Sequence, residues 1–286
     1  MADRLRGFRE GLSELRPQGG EPRIEYRWAE NQVDRLPALA ADLVRQRVSV
    51  IIASGGADVA VAAKKATASI PVLFLVSGDP VRLGLVASLA RPDGNLTGIN
   101  FFNAELVAKR LEIMRELVPR AKRLAALVNP TDAANTETTL RDLEPAAQSM
   151  GLTIQVLKAA NSREIDAAFE TIDADRPDGL FVGQAAYLNS RRVQLVQLAA
   201  SRMIAATNPS REFCEIGGLM SYGSDIANAY RQIGVYAARI LNGATPADLP
   251  VVHPSKFELV INAQTARMLR LPIPHSLLAR ADQVIE

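Results

Sequence analysis

Short apolar runs that end in small or polar residues alternate with helical patterns along this chain. Two neighbouring segments show the alternation most clearly: VSVIIASGG (48–56) runs into DVAVAAKKATA, and PVLFLVSGD (71–79) runs into PVRLGLVASLA. Near-continuous apolar runs of this length suit strands buried on both faces, as in a parallel sheet covered by helices. The pattern therefore predicts an α/β fold in which a helix follows each of these strands.

The polar residues collect at the carboxyl end of each predicted strand and at the start of the next helix. Open α/β sheets bind small ligands at this edge, because unpaired helix N–H groups and small side chains meet there. The pattern therefore predicts a protein that holds a small molecule.

The alternation occurs in two series, separated by the Pro/Gly-rich passage ARPDGNLTGINFF (90–102). The first series adds the helix ADRLRGFREGLSELR, the strand RIEYRW (23–28) and a helix over 33–46. The second series is predicted to begin with a helix over 105–118, which is followed by alternating strands and helices. One of these helices opens with a capping box of Asn161 and Glu164, and another runs from about 189 to 203. The predicted strands are 123–130, 153–160, 178–185, 203–208 and 217–223. Two strand–helix series in tandem predict two α/β lobes.

Composition and charge exclude several classes of function. Lys and Arg number 33 against 31 Asp and Glu, and no basic run is present, so a nucleic-acid partner is not expected. Cys214 is the only cysteine, and His253 and His275 are not closely spaced, so neither a disulfide framework nor a metal site is predicted. No window has the apolar length of a membrane span. We expect no cofactor.

Five segments spread over nearly the whole chain are IEYRWAENQVDRLPALAADLV, SGDPVRLGLVASLARPDGNLTGI, GGLMSYGSDIANAYRQIGVYAARILNG, LPVVHPSKFELVINAQTA and LLARADQVIE. Together and in this order they resemble the solute-binding proteins of ABC-type importers, and most closely the subgroup with tryptophan- and tyrosine-binding members. The resemblance implies a type I periplasmic-binding fold, in which two doubly wound lobes with parallel sheets are joined by a three-strand hinge and close over a ligand in the cleft.

The resemblance also implies the division of the chain. The hinge strands would be NLTGI, the region near LMSYG, and KFELVIN. The N-terminal lobe would then comprise 1–97 and about 223–252, and the C-terminal lobe about 98–222 and 253–286. The helix from about Asp225 to Leu241 would belong to the first lobe, although it follows the second in sequence.

One departure from the family concerns the start of the chain. Members begin with an export signal and a strand that leads into the first helix, whereas here Met1 falls at the start of that helix. The first strand of the N-terminal lobe and the signal are therefore missing from this sequence. We expect both to be encoded upstream; the alternative is a functional cytosolic variant that lacks them. On this basis the protein is expected in the periplasm or otherwise outside the cytoplasmic membrane, as a monomer that serves a membrane permease.

Candidate ligand-binding residues lie where predicted strands end, facing the cleft if the fold is as implied. They are Ser54, Gly55, Ser77 and Asp79 in the first lobe, and Asn129, Thr131, Asn135, Gln184, Tyr187 and Tyr222 in the second. None is expected to be catalytic. An amino acid, with an aromatic one favoured, is the expected ligand, its amine toward Asp79 and its carboxylate toward the loop of Asn129.

Structural interpretations of the same residues stay open. Asp79 before Pro80 has the arrangement of a helix cap, which needs no ligand. Ser54 and Ser77 suit tight turns, and Asn-Pro with Thr-Asp is ordinary turn chemistry. Gln184, Tyr187 and Tyr222 would form walls or stacking surfaces for an aromatic side chain. Tyr26 and Trp28 are expected to lie in the core.

Two other classes of function are alternatives to a solute-binding protein. An α/β enzyme would need a nucleophile elbow, a P-loop, a dinucleotide fingerprint or a His beside a nucleophile, and the sequence has none of these. The ligand-sensing domain of a transcription regulator would need a DNA-binding headpiece before the first strand. The upstream reading frame discriminates among these alternatives.

Overall fold

A computed structural model describes residues 2–15, 20–101, 104–254 and 256–286. The helices are α1 Ala2–Glu14, α2 Leu36–Arg45, α3 Ala57–Ala66, α4 Ala104–Leu117, α5 Ala133–Ser149, α6 Ser162–Asp175, α7 Ala186–Ser190, α8 Arg192–Ser201, α9 Arg211–Cys214, α10 Ile226–Leu241, α11 Ala263–Met268 and α12 His275–Arg280. The strands are β1 Ile51–Ser54, β2 Val72–Val76, β3 Leu96–Asn100, β4 Arg123–Val128, β5 Thr153–Lys158, β6 Gly179–Val182, β7 Ala206–Asn208, β8 Met220–Ser224, β9 Phe257–Asn262 and β10 Gln283–Ile285. Short 3-10 helices occupy Val33–Arg35 and Pro246–Asp248.

The chain forms two compact units. The first comprises Met1–Phe102 and Asp225–Ser255, and the second comprises Asn103–Ser224 and Lys256–Glu286. Each unit therefore contains two separate stretches of the chain.

The first unit is built on a parallel sheet with the strand order β1-β2-β3. Every residue of β2 is buried, as its continuous apolar run VLFLV predicts for a central strand. Two core clusters pack against the sheet. One contains Leu73 and Leu75 with side chains of α1 and α10, and the other contains Phe74 with side chains of α3.

Helices α1 and α10 pack closely because three glycines lie at their contact. A Cβ at Gly7 or Gly11 would overlap the backbone of α10, and a Cβ at Gly234 would overlap the backbone of α1 at Phe8 and Leu12. The close approach lets Phe8 and Leu12 bury their side chains beside Ile233. Helix α10 thus belongs to the first unit, although it follows β8 of the second in sequence.

The predicted strand RIEYRW is wrong, because residues 22–29 have no assigned secondary structure. A strand needs a neighbour for its backbone groups, and β1 pairs with β2 but with no second strand in the described ranges. Ile24 packs against the core, but Tyr26 and Trp28 are 37% and 52% exposed, with their rings stacked at 5.8 Å. The prediction that these two aromatic residues lie in the core is therefore also wrong.

The predicted helix PVRLGLVASLA is wrong as well, since residues 80–84 form a turn and no helix follows. Leu83 N donates to Asp79 O in a single helical turn, and Leu85 N donates to Pro80 O. Gly84 then adopts φ +66°, in the left-handed region that ends a helix. The apolar spacing was correct, but the glycine stops the helix after one turn.

The second unit contains a seven-stranded sheet in the order β10-β9-β8-β7-β6-β4-β5. All neighbouring strands run parallel except β8 and β9, which are antiparallel. The strands predicted in this part of the chain are confirmed. The predicted helix over 189–203 is two helices, α7 and α8, that meet at Arg191. No helix in the described ranges has the length and apolar character needed to cross a membrane.

Candidate functional site: the carboxyl edges of the two sheets

The carboxyl edge of the first sheet contains Ser54 and Ser77, which end or directly follow β1 and β2. The hydroxyl of Ser54 shares a hydrogen bond with the hydroxyl of Tyr230 in α10. Ser77 is buried. The bond to Tyr230 gives Ser54 a structural partner and brings α10 to this edge, a contact that sequence reasoning missed.

Gly55 makes the turn from β1 to α3. It has φ +136°, and Gly56, the residue before the helix, has φ +114°. Both values lie in the region that favours glycine. Because Gly56 has no side chain, the first N–H groups of α3 receive no side-chain cap. The chain thus leaves backbone donors beside Ser54.

Asp79 acts as a turn cap in this structure. Its Oδ1 accepts hydrogen bonds from Val81 N at 2.9 Å and from Arg82 N at 3.3 Å. The residue is half-buried. These bonds stabilise the turn without a ligand, and they hold the carboxylate at the edge next to Ser77.

In the second unit, the loop after β4 is ordered by its own side chains. Asn129 Oδ1 accepts from Thr131 N at 3.1 Å and from Thr131 Oγ1 at 2.8 Å. Asp132, which sequence reasoning missed, caps α5, and its carboxylate accepts from Asn135 N at 3.4 Å and Asn135 Nδ2 at 2.7 Å. The Asp132 carboxylate therefore already occupies the helix N-terminus that the sequence offered to a ligand carboxylate.

Gln184 lies in the loop between β6 and α7. Its Oε1 is buried and has no hydrogen-bond partner among the described residues. A buried acceptor without a partner is costly, and such atoms in native structures usually meet a water molecule or a ligand. Gln184 is thus the predicted residue with the clearest capacity to accept a hydrogen bond from a ligand.

Two predicted tyrosines lie in the second unit in different settings. Tyr187 in α7 is partly buried, and the guanidinium of Arg191 lies 5.6 Å from its ring centre. Tyr222 in β8 is partly buried beside Phe257, with ring centres 6.4 Å apart. Tyr187 follows the carboxyl end of β6, whereas Tyr222 lies within its strand.

Arg110 of α4 is a residue that sequence reasoning missed. It is 4% exposed, and its Nη2 donates to Val182 O at 2.6 Å and to Thr207 O at 2.9 Å. The guanidinium carbon lies 4.0 Å from the ring centre of Phe181. Burial lowers the pKa of Arg110 to about 9. The sequence does contain a signal for a buried arginine, because Arg110 lies three residues after Val107, on the apolar face of the predicted helix.

A cavity of about 80 Å³ lies in the second unit. Its lining combines residues of β6 and β7 with residues of α8, α11 and the turn before β8, and it is mostly aliphatic, without a charged side chain. It therefore offers no charged partner to a zwitterion. In the described ranges, no group of three or more His, Cys, Asp or Glu side chains is placed to hold a metal ion.

Comparisons with known proteins agree with one another. Residues 1–285 match the sequence model of a family described as ABC transporter substrate binding protein. A tyrosine-binding protein of Clostridioides difficile (strain R20291) is 25% identical over 265 residues, which cover 92% of this chain and 75% of that protein.

Solved structures show the same likeness. The ABC domain from Streptococcus pneumonia in complex with L-Trp has a TM-score of 0.88 and 26% identity, over 99% of this chain and 96% of that one. A conserved domain protein from Vibrio cholerae has a TM-score of 0.89 and 26% identity, over 99% and 94% of the two chains. A leucine-binding protein from Thermotoga maritima, at 12% identity and a TM-score of 0.57, shares the fold.

Proposed function

Because this chain belongs to the family of ABC transporter substrate-binding proteins, a class that binds and does not catalyse, we propose that its ligand is a free amino acid with an aromatic side chain. The observation that carries the proposal is the likeness, over 99% of the chain, to a structure that holds L-Trp. The tyrosine-binding relative supports the same class of ligand. The fold is the α/β fold of periplasmic binding proteins, with parallel sheets, as its solved relatives show.

The polar groups of the two sheets suit the two ends of an amino acid. In the first unit, the carboxylate of Asp79 would face the ammonium group, with Ser54, Gly55 and Ser77 beside it. In the second unit, Asn129, Thr131, Asn135 and Gln184 supply neutral donors and acceptors, and Gln184 Oε1 has no partner among the described residues. Tyr187 and Tyr222 would contact the aromatic side chain.

The proposal also includes the hinge between the two units. The chain passes from one unit to the other near residues 102, 224 and 255, next to the ends of β3, β8 and β9. We infer that these are the three hinge strands of a type I binding fold. The protein would work outside the cytoplasmic membrane, as a monomer that delivers its ligand to a permease.

Thermal unfolding with added ligands tests the proposal. L-Trp, L-Tyr and L-Phe form one arm, and D-allose, adenine and benzoate form the other. A ligand at a hundred times its Kd adds about 2.7 kcal/mol to the free energy of unfolding. We expect an aromatic amino acid to give this gain, with the Kd then measured by calorimetry. Stabilisation by the sugar or the purine, with no effect of any amino acid, would contradict the proposal.

A further inference from the structure

We propose that Arg110 is a positioning residue that joins the carboxyl ends of β6 and β7 and makes this edge of the second unit selective for the carboxylate of the ligand. The inference rests on the proposed function and deepens it. Three observations on the described residues carry it: a backbone donor that the sheet lacks, a buried cation that pairs with no described acidic side chain, and two buried donors without partners at the same edge.

The missing donor follows from the register of the sheet. Leu180 N donates to Ala205 O, and Phe181 pairs with Thr207. In a parallel ladder this pattern repeats every second residue, so Val182 O would next accept from the N–H of residue 209. That residue is Pro209, which has no N–H. Arg110 Nη2 supplies the missing bond to Val182 O and also donates to Thr207 O.

The position of Arg110 thereby fixes two loops. Val182 is two residues before Gln184, and Thr207 is the last residue of β7 but one. Arg110 Nη2 bridges β6 and β7 at the point where their hydrogen-bond ladder ends. The loop after β6 and the loop after β7 therefore start at a fixed distance from each other. The predicted ligand residue Gln184 depends on this bridge for its place at the edge.

Among the described residues, no acidic side chain forms an ion pair with Arg110. Its guanidinium contacts the two carbonyl groups and the ring of Phe181, and burial is the cause that lowers its pKa. Buried charges are normally paired. The Nε–H group of Arg110 and the hydroxyl of Thr207 also lack a hydrogen-bond partner in the described part of the chain, and both can donate to an anion. An anion at this edge would supply the absent negative charge.

The charge also assigns an orientation to the ligand. The nearby N-terminus of α5 already has the carboxylate of Asp132 as its cap, so a second carboxylate would be repelled there. The edge formed by β6 and β7 carries the positive charge of Arg110 instead. The carboxylate of an amino acid therefore belongs beside Arg110 Nε and Thr207 Oγ1, and its ammonium group belongs on the side away from the charge of Arg110.

The test compares ligands with and without a carboxylate. L-Trp and tryptamine are titrated by calorimetry into the unmodified protein, Arg110→Gln and Arg115→Gln. Arg115 is the matched control, because it lies on the same helix and donates to a backbone carbonyl, that of Ala121, outside this edge. We expect Arg110→Gln to lose about tenfold to a hundredfold in affinity for L-Trp and much less for tryptamine. Arg115→Gln should keep the ratio of the two affinities.

A second variant separates the charge from the hydrogen bonds. Pro209→Ala restores an N–H that can bond to Val182 O, so the double variant Arg110→Gln/Pro209→Ala should regain thermal stability that Arg110→Gln loses. It should not regain the preference for L-Trp over tryptamine. It also provides a folded protein if Arg110→Gln alone does not fold.

The outcomes are distinguishable. If the unmodified protein binds no amino acid, the proposed function fails. If it binds L-Trp, and the Arg110→Gln variants bind L-Trp as tightly, only the role of Arg110 is wrong. Equal losses for L-Trp and tryptamine in the double variant would likewise overturn the role of the charge.

Discussion

The contact between α1 and α10 gives a prediction whose sign opposes the usual effect of the substitution. Gly→Ala in a helix normally stabilises by about 1 kcal/mol, because alanine restricts the unfolded backbone and favours the helix. At Gly234, however, the new Cβ would overlap Phe8 O, Leu12 N and Gly11 C, all of them backbone atoms of α1. Backbone cannot move aside as a flexible side chain can, so α1 as a whole must shift.

The expected loss of stability follows from the apolar surface that the shift of α1 exposes. Ordinary carbon contacts need about 3.5 Å or more, so α1 must move by about 1 Å. Phe8 and Leu12, which are 7% and 6% exposed, then lose part of their contact with α10. Full exposure of such a side chain costs about 1.5–3 kcal/mol, and overpacking typically costs 1–3 kcal/mol. After the propensity gain is subtracted, we expect Gly234→Ala to lower the free energy of unfolding by about 2 kcal/mol.

The assay uses one probe in each unit during urea unfolding. Trp28, the only tryptophan, reports on the first unit by its fluorescence, and thiol labelling of buried Cys214 reports on the second. Arg9→Ala is the control on the exposed face of α1, with an expected change within about 0.5 kcal/mol. The Trp28 transition should move to lower urea in Gly234→Ala. An unchanged or higher midpoint would refute the reasoning about the close approach.

Further predictions concern two residues of the second unit. Burial raises the pKa of Cys214 to about 12 from 9.0, so the native thiol should not react with a disulfide reagent at pH 8, and rapid labelling of folded protein would contradict its placement. The thiol of the unfolded chain ionises at a lower pH than the buried thiol of the folded chain. The contribution of Cys214 to the free energy of unfolding should therefore fall as pH rises from about 9 to about 12.

The Cys214→Ala variant should not show this fall. Asn161 Oδ1 accepts from Glu164 N at 3.0 Å, so Asn161→Ala should lower the free energy of unfolding by about 1 kcal/mol, while Asn161→Ser, which keeps an acceptor, should lose much less; equal losses in urea unfolding would argue against the cap.

Local pattern was enough to predict most elements of the fold. The run VLFLV forms the fully buried strand β2, and Asn161 caps α6 as the sequence indicates, with the carboxylate of Glu164 accepting from Ala160 N and from Asn161 Nδ2. The alternation in RIEYRW was just as regular, yet it gave no strand. A strand depends on a neighbour, and the residues of a segment do not report whether that neighbour is present.

The candidate site was less accessible to sequence reasoning because its key contacts join distant residues. Ser54 and Tyr230 are separated by 176 positions, and Arg110 and Thr207 by 97. Asn129 and Asp79 were recognised as polar residues after strands, but only the structure shows which atoms their own loops already use. The sequence shows Arg110 as a charge on an apolar helix face. Only the register of the sheet shows that Arg110 replaces the N–H that Pro209 lacks.

The pairing of α1 with α10 also bears on the order in which the chain folds. Phe8 and Leu12 cannot be buried until α10 has been synthesised, and the whole stretch Asn103–Ser224 is made in between. The second unit likewise waits for β9 and β10, at the end of the chain. Contacts of such long sequence separation form slowly. A growing polypeptide therefore cannot complete the first unit until residue 255 has been made, and it cannot complete the second until β10 follows, so both units stay unfinished while most of the chain is synthesised.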